Sequence, residues 1–318
     1  MVAMKRLALS CVLLVAIVAG CGGSRESSNG DTADGGAASE LSGRVQIDGS
    51  STVGPYATAA AERFRGGNPD VRITVGVSGT GGGFERFCRD ETDISNASRP
   101  IKDEEKQACE AKGVEYLELQ VANDALTVVV NKDNDWVDCM TVAQLKQIWD
   151  RGSKVKTWSD VDPSWPDERM RLFGAGTDSG TFDYFTDEIN GEEGRSRSDY
   201  SASEDDNVTV QGVSGDRYAL GYFGLSYYDQ NQDSLKALAV DGGGGCVEPS
   251  VETAQSGNYT PLSRPLLMYV KKESVARPEV KAFLQFVLDN EQAIAERAQF
   301  VPLTDEQLQK AKSDLSAG

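Results

Sequence analysis

Not one of the 318 residues is a histidine. That absence excludes Ser-His-Asp and Cys-His nucleophile systems and any His-ligated zinc. Positive charge is scarce as well: 32 Lys and Arg face 50 Asp and Glu, a net charge of −18. A protein that tracks nucleic-acid backbones needs a basic footprint, so a non-specific nucleic-acid role is excluded too. The apolar run from Leu7 to Ala19, broken only by Ser10, is about half of what a bilayer-spanning helix needs. No internal repeat is visible. What remains is an ordinary globular balance, 39% hydrophobic and 26% charged, which rules out wholesale disorder. The length suggests about two domains.

The N-terminus reads as an address. Lys5 and Arg6 precede the apolar run, and Val18-Ala19-Gly20-Cys21 puts small residues just before a cysteine, the layout of a signal peptide and its cleavage site. This resembles the lipobox of bacterial lipoproteins, which implies cleavage after residue 20 and lipidation of Cys21. Loss of Lys5 and Arg6 then brings the charge to −20. From residue 22 to about 42 the chain is Gly, Ser, Ala, Asp, Asn and Thr with almost nothing apolar. Such a segment buries too little to offset its ordering entropy and reads as a tether spanning roughly 25 Å. An extracytoplasmic, membrane-anchored protein is expected.

Cys11 leaves with the signal, so four cysteines remain for the domain: Cys88, Cys109, Cys139 and Cys246. An even count in an exported chain reads as two disulfides with three connectivities open. Locality favours Cys88–Cys109, which leaves Cys139–Cys246. Metal binding is not expected, because no pair has the close spacing of a zinc site.

Beyond the tether, β-branched runs alternate with helical stretches. Val45–Ile47, the alternating Val71, Ile73, Val75 and Val77, Asp93-Ile94, Leu126–Val130 and Leu266–Val270 read as strands. Pro55–Arg65, Phe84–Arg89, Lys102–Lys112, Thr141–Trp149, Phe182–Ile189 and a long, kinked Pro278–Phe300 read as helices. Alternation of this kind predicts α/β layers on parallel sheets, with the continuous run at 126–130 buried on both faces. Trp136, Trp149, Trp158 and Trp165 read as packing of one domain rather than a stacking platform.

Three places share one design, a strand followed by Gly, Ser and Thr and then a helix: Asp48–Pro55, Ser78–Phe84 and Gly174–Phe182. The first amides of a helix lack partners and carry partial positive charge, so an anion can dock where small residues let it approach and hydroxyls add donors. Asp93–Pro100 adds a hydroxyl and a guanidinium side by side, Ser98 and Arg99. One such loop would be an ordinary helix cap; three in one chain are harder to dismiss as caps alone. Ser78–Phe84 lacks the Lys-Ser/Thr of a Walker A loop, and Gly176–Gly180 is not a G-x-S-x-G elbow.

Thr92–Pro100, Asp178–Phe185 and Pro261–Pro265 carry a resemblance, supported by Asp48–Pro55 and Ala219–Tyr228. From about residue 44 to 310 the chain resembles the phosphate-binding (PstS-type) substrate-binding lipoproteins of bacterial ABC phosphate transporters. The resemblance implies a two-lobed periplasmic-binding-protein-like fold (class II), each lobe a doubly wound sheet with flanking helices and the ligand cleft at the hinge. Lobe 1 would comprise 43–125 plus 258–318 and lobe 2 would comprise 126–257, hinged near Asn123–Ala125 and Ser263–Pro265. It further implies inorganic phosphate as ligand, permease and ATPase subunits as partners, a monomer without cofactor, and no enzyme activity. Sulfate or another tetrahedral oxyanion, and a phosphoester hydrolase, are the alternatives.

By position, Ser51 and Thr52 match the first phosphate-binding turn, Thr80 and Gly81 the second, and Ser179, Gly180 and Thr181 the turn of the opposite lobe. Two positions depart from the family: its proton-accepting aspartate aligns with Ser98, and an arginine before the Ser-Gly-Thr turn aligns with Ala175. The expectation is that Arg99 supplies the cation and that Asp178 or the Ser98 hydroxyl supplies the acceptor.

Overall fold

In the computed structural model, which describes residues 41–318, regular structure starts as soon as apolar residues begin to alternate. The signal segment, Cys21 and nearly all of the tether lie outside the described residues. Strand β1 (Gly43–Gly49) buries Val45 and Ile47 between exposed Arg44 and Gln46. Helix α1 (Val53–Arg65) then places Val53, Tyr56, Ala57, Ala60, Ala61 and Phe64 on one buried face, the i, i+3, i+4 stripe of an amphipathic helix. Strand β2 (Val71–Val75) returns parallel to β1, and Val77, which continues its alternation in sequence, lies outside it and is exposed. Helix α2 (Gly79–Cys88) begins five residues before the apolar signal at Phe84, because the glycines that carry no hydrophobic pattern form its first turn. Strand β3 (Ile94–Ala97) pairs parallel on the other side of β1, and helix α3 (Asp103–Glu110) is stapled to α2 by Cys88–Cys109.

Strand β4 (Tyr116–Asn131) decides the architecture. Its first half pairs antiparallel with β12 (Ser263–Lys271) and its second half with strands of a different sheet. Beyond it come β5 (Cys139–Thr141), α4 (Val142–Trp149), β6 (Arg171–Ala175), α5 (Gly180–Phe185), β7 (Ser201–Ser203), α6 (Asp206–Ser214), β8 (Ala219–Gly224), β9 (Leu235–Ala237), β10 (Ala239–Asp241) and β11 (Cys246–Val247). Strand β12 (Ser263–Lys271) brings the chain back beside β4 and β3. The spatial order is β2-β1-β3-β12-β4-β8-β6-β7, with β9 also on β4 and a separate β11-β10-β5 sheet that Cys139–Cys246 ties together. The parallel pairing expected for Leu126–Val130 is not what forms: these residues run antiparallel to β8, with β9 antiparallel to the end of β4. The apolar run reflects burial on both faces, and a strand that crosses between sheets meets the second one against its direction.

Two main cores lie on either side of this crossing. Val45, Ile47, Phe64, Met268 and Phe283 belong to the first, which the C-terminal helices Pro278–Asp289, Glu291–Arg297 and Asp305–Ala317 close over. Asn290 separates the first two of these helices, where one kinked helix was expected from sequence. The second core gathers Val128, Val130, Trp149, Trp158, Phe185 and Tyr222, with Trp136 and Trp165 packed on its margin.

Glu291 opens one of those helices yet is buried, accepting the Leu303 N–H at 2.8 Å near the Tyr56 ring system. Burial, with Glu296 adding to it and the Leu303 N–H opposing, pushes its carboxyl up to about 7. A raised carboxyl pKa stabilises the protonated folded state, so its contribution is complete below the unfolded value near 4.5 and is lost as pH rises through about 7. Glu291→Gln, neutral throughout, is therefore expected to gain about 3 kcal/mol over wild type at pH 8 and almost nothing at pH 4. Urea unfolding at the two pH values checks this; a gain independent of pH contradicts it.

Candidate functional site

The three hydroxyl-rich turns converge where β1, β2 and β6 end. Thr52 sits at the N-terminal boundary of α1 and Ser78 at that of α2, and neither side chain caps its helix. Ser179 does cap, accepting the Thr181 N–H at 3.1 Å. The turn from the second sheet lies directly on the first: a Cβ added to Gly180 would stand 2.6 Å from Thr52 Oγ1 and 3.0 Å from Thr52 Cα. Any side chain at 180 would hold the two turns apart. Ser51 Oγ donates to Asp183 Oδ2 at 3.4 Å across the same junction. Thr80 and Ser98 share a hydroxyl contact of 3.1 Å, and the Ser98 N–H reaches Thr80 Oγ1 at 3.3 Å.

The charge at this junction comes from Arg264, on the returning strand β12. Its Nε donates to Asp124 Oδ2 on β4 at 3.1 Å, and Nη2 donates to Thr52 Oγ1 at 2.9 Å. The guanidinium lies over the Tyr184 ring of α5, 3.4 Å from its centroid, and Tyr184 in turn donates to the Pro261 carbonyl at 2.7 Å. The side chains of Arg264 and Asp124 are only 14% and 8% exposed. Burial raises Asp124, and the Arg264 charge offsets this only in part. Asp183 is raised as well, first by burial and then by Glu193, with Ser51 and Arg264 pulling the other way. The junction thus holds a fixed cation, several hydroxyl donors and two carboxyls, Asp124 and Asp183, raised above the ordinary carboxylate value. That set can bind a tetrahedral oxyanion and accept one proton from it.

Two of the charged residues expected here are engaged or oriented differently. Arg99 does not supply a free cation: Nη1 and Nη2 each reach Glu105 at 2.8 Å, and the guanidinium lies 5.8 Å from the Phe84 ring centroid. Glu105 also accepts the Lys102 N–H; burial would raise its pKa, but these bonds hold it below the ordinary value. Gly81 lies near this pair, with an added Cβ 3.9 Å from Arg99 Nη2. Asp178 is exposed, and its N–H points to Glu204 Oε1 at 3.2 Å. Its side chain is open to solvent, unlike that of Asp183. Arg264, Asp124, Asp183 and Tyr184 were not among the expected site residues. Arg264 and Asp183 do lie in the two motifs Pro261–Pro265 and Asp178–Phe185, which was the available signal. The broader surface depressions, such as the one lined by Arg169, Arg171, Asp199 and Asp216, lie elsewhere.

Comparison with known proteins places the chain in a family. The model of a PBP superfamily domain matches residues 31–291. Protein SphX of Synechococcus elongatus is 50% identical over 262 residues, 81% of this chain and 77% of that protein. The chain belongs to the PBP superfamily. Within this superfamily the chain is also similar to the phosphate-binding protein PstS of Staphylococcus saprophyticus, with 42% identity over 298 residues, 93% of this chain and 88% of that one. Among solved PBP-type structures, that of a possible phosphate binding protein from Planctomyces limnophilus superposes with a TM-score of 0.84 at 47% identity, covering 87% of this chain and 99% of that one. The two-lobed α/β fold of the superfamily is therefore the fold of this chain.

Removing one member of a buried ion pair strands the other charge. Arg264→Met is expected to cost about 3–5 kcal/mol of unfolding free energy, and Arg264→Met with Asp124→Asn to recover most of it. Chemical denaturation of wild type, Arg264→Met, Asp124→Asn and the double variant measures this; additive losses would mean that the two side chains are not coupled.

Proposed function

We propose that the chain is an extracytoplasmic receptor that captures inorganic phosphate and delivers it to the permease and ATPase of an ABC importer. The observation that carries this reading is the junction itself: a buried guanidinium, Arg264, fixed where hydroxyl turns from both sheets meet. Relatives named for phosphate binding support the choice of anion. In this reading residues 43–125 with 258–318 form one lobe and 126–257 the other. Cys21 carries the lipid, the segment up to residue 42 is the tether, and the receptor works as a monomer without cofactor. Phosphate takes hydrogen bonds from Thr52, Thr80, Ser98, Ser179 and Thr181, from the backbone at Gly81 and Gly180, and from Ser51, whose hydroxyl turns from Asp183 to the ligand, and Arg264 balances its charge. Arg99 acts through Glu105 at the rim.

Selectivity follows from protonation. Near neutral pH phosphate keeps at least one proton and sulfate keeps none. An acceptor inside the cleft bonds the phosphate O–H and meets only lone pairs on sulfate. We assign this role to Asp183, half-buried and hydrogen-bonded to Ser51, in place of Asp178. Calorimetry on protein freed of phosphate by unfolding and refolding tests the assignment. Phosphate is expected to bind about tenfold to a hundredfold more tightly than sulfate. Asp183→Asn should narrow that preference by about one order of magnitude, while Arg264→Gln should weaken both anions by about a hundredfold. Equal binding of the two anions by wild type would leave only a general oxyanion receptor, and turnover of a chromogenic phosphate ester would place the chain among enzymes.

A further inference from the structure

We infer that Asp48 is a positioning residue for the cleft: its carboxylate, neutralised by Arg86, clamps the first and second anion-binding turns into one cradle. The inference rests on the phosphate reading above. Asp48 is 2% exposed at the end of β1. Its Oδ1 accepts the Gly49 N–H at 2.7 Å, where the first turn begins, and the Ser78 hydroxyl at 2.9 Å, where the second begins. Its Oδ2 pairs with Arg86 of α2. The loop between β2 and α2 lies flush on this carboxylate, since a Cβ added to Gly76 would stand 2.8 Å from Asp48 Oδ2. Backbone bonds from Gly76 to Ile47 and from Ser78 to Gly49 hold the same contact.

Ser78 occupies the position from which a serine ordinarily caps a helix by accepting a first-turn N–H. Here its hydroxyl donates to Asp48 and makes no capping bond. The amides at Gly79, Thr80 and Gly81 are thereby left without that side-chain acceptor, in the turn that faces the cleft. A carboxylate suits this position because it takes donors on both oxygens and offers none. An amide would turn an N–H₂ toward Gly49, Ser78 or Arg86. The arrangement carries a condition: a buried negative charge beside an anion site repels the ligand unless it is balanced. Arg86, half-exposed and also bonded to Glu91 at 3.2 Å, supplies the balance.

The test compares wild type, Arg86→Gln, Asp48→Ala, Ser78→Ala and the double variant Asp48→Asn with Arg86→Gln, measuring phosphate affinity by calorimetry and Tm by circular dichroism. Arg86→Gln leaves Asp48 unbalanced and is expected to bind phosphate about tenfold more weakly or worse. The double variant keeps an acceptor for Gly49 and Ser78 without the charge and is expected to return to within about threefold of wild type. Asp48→Ala frees both turns and should lose about tenfold, with Ser78→Ala losing severalfold; the latter keeps the test available where Asp48→Ala does not fold. Variants that bind phosphate like wild type while their Tm falls would make Asp48 a brace for the fold alone and overturn the inference. Failure of the double variant to recover overturns it as well. A wild type that binds no phosphate removes the receptor reading and this inference together.

Discussion

The buried pair of Arg264 and Asp124 is the constraint on which the rest of the structure depends. A guanidinium at 14% side-chain exposure is tolerable only if its donors find fixed acceptors. Asp124 supplies one from the neighbouring strand and Thr52 another from the first turn, while Tyr184 covers the face from the second sheet. With β12, which carries Arg264 itself, these partners bring four different elements together. Holding one cation therefore fixes the two crossing strands, the entry to α1 and the start of α5 relative to one another.

The sheet topology follows from the same demand. Strand β4 runs through both sheets without interruption, and β12 returns beside it, so the chain crosses the middle of the molecule twice. Arg264 and Asp124 face each other across those crossings in register. A cation placed there is available to both sheets without belonging to a mobile loop. The overall charge of −18 acts weakly at such a point, because exposed carboxylates beyond a Debye length of about 8 Å are largely screened. Local dipoles and the buried Arg264 guanidinium set the potential at this point.

Much of this was legible in the sequence, and the parts that were not share a cause. Strands with period-two burial and helices with a clear apolar stripe, such as β1, β2 and α1, announce themselves locally. The hydroxyl turns did too, since each combines a strand end, small residues and a helix start. Arg264 could be read as part of a hinge but not as the cation, because its partners lie 140 and 212 residues away in sequence. Arg99 looked free for the converse reason: Glu105 is near in sequence, but the turn that makes the two meet face to face is set by the Lys102–Glu105 cap. Asp178 and Asp183 flank the same Ser-Gly-Thr turn. The helical phase of α5 turns Asp183 toward Ser51, while Asp178, ahead of that helix, stays in solvent. Strand direction at Leu126–Val130 was similarly invisible, since burial on both faces looks the same in parallel and antiparallel pairing.

The most direct test of the account is a crystal structure of the protein grown with phosphate. The account predicts one phosphate at the junction, with an Arg264 guanidinium nitrogen, a hydroxyl of the Ser51–Thr52 turn and a hydroxyl or amide of Ser179–Thr181 all within hydrogen-bond distance, and Asp183 on one of its oxygens. Phosphate held instead by Arg99 away from Arg264, or found only on the surface with the junction unchanged, would contradict it.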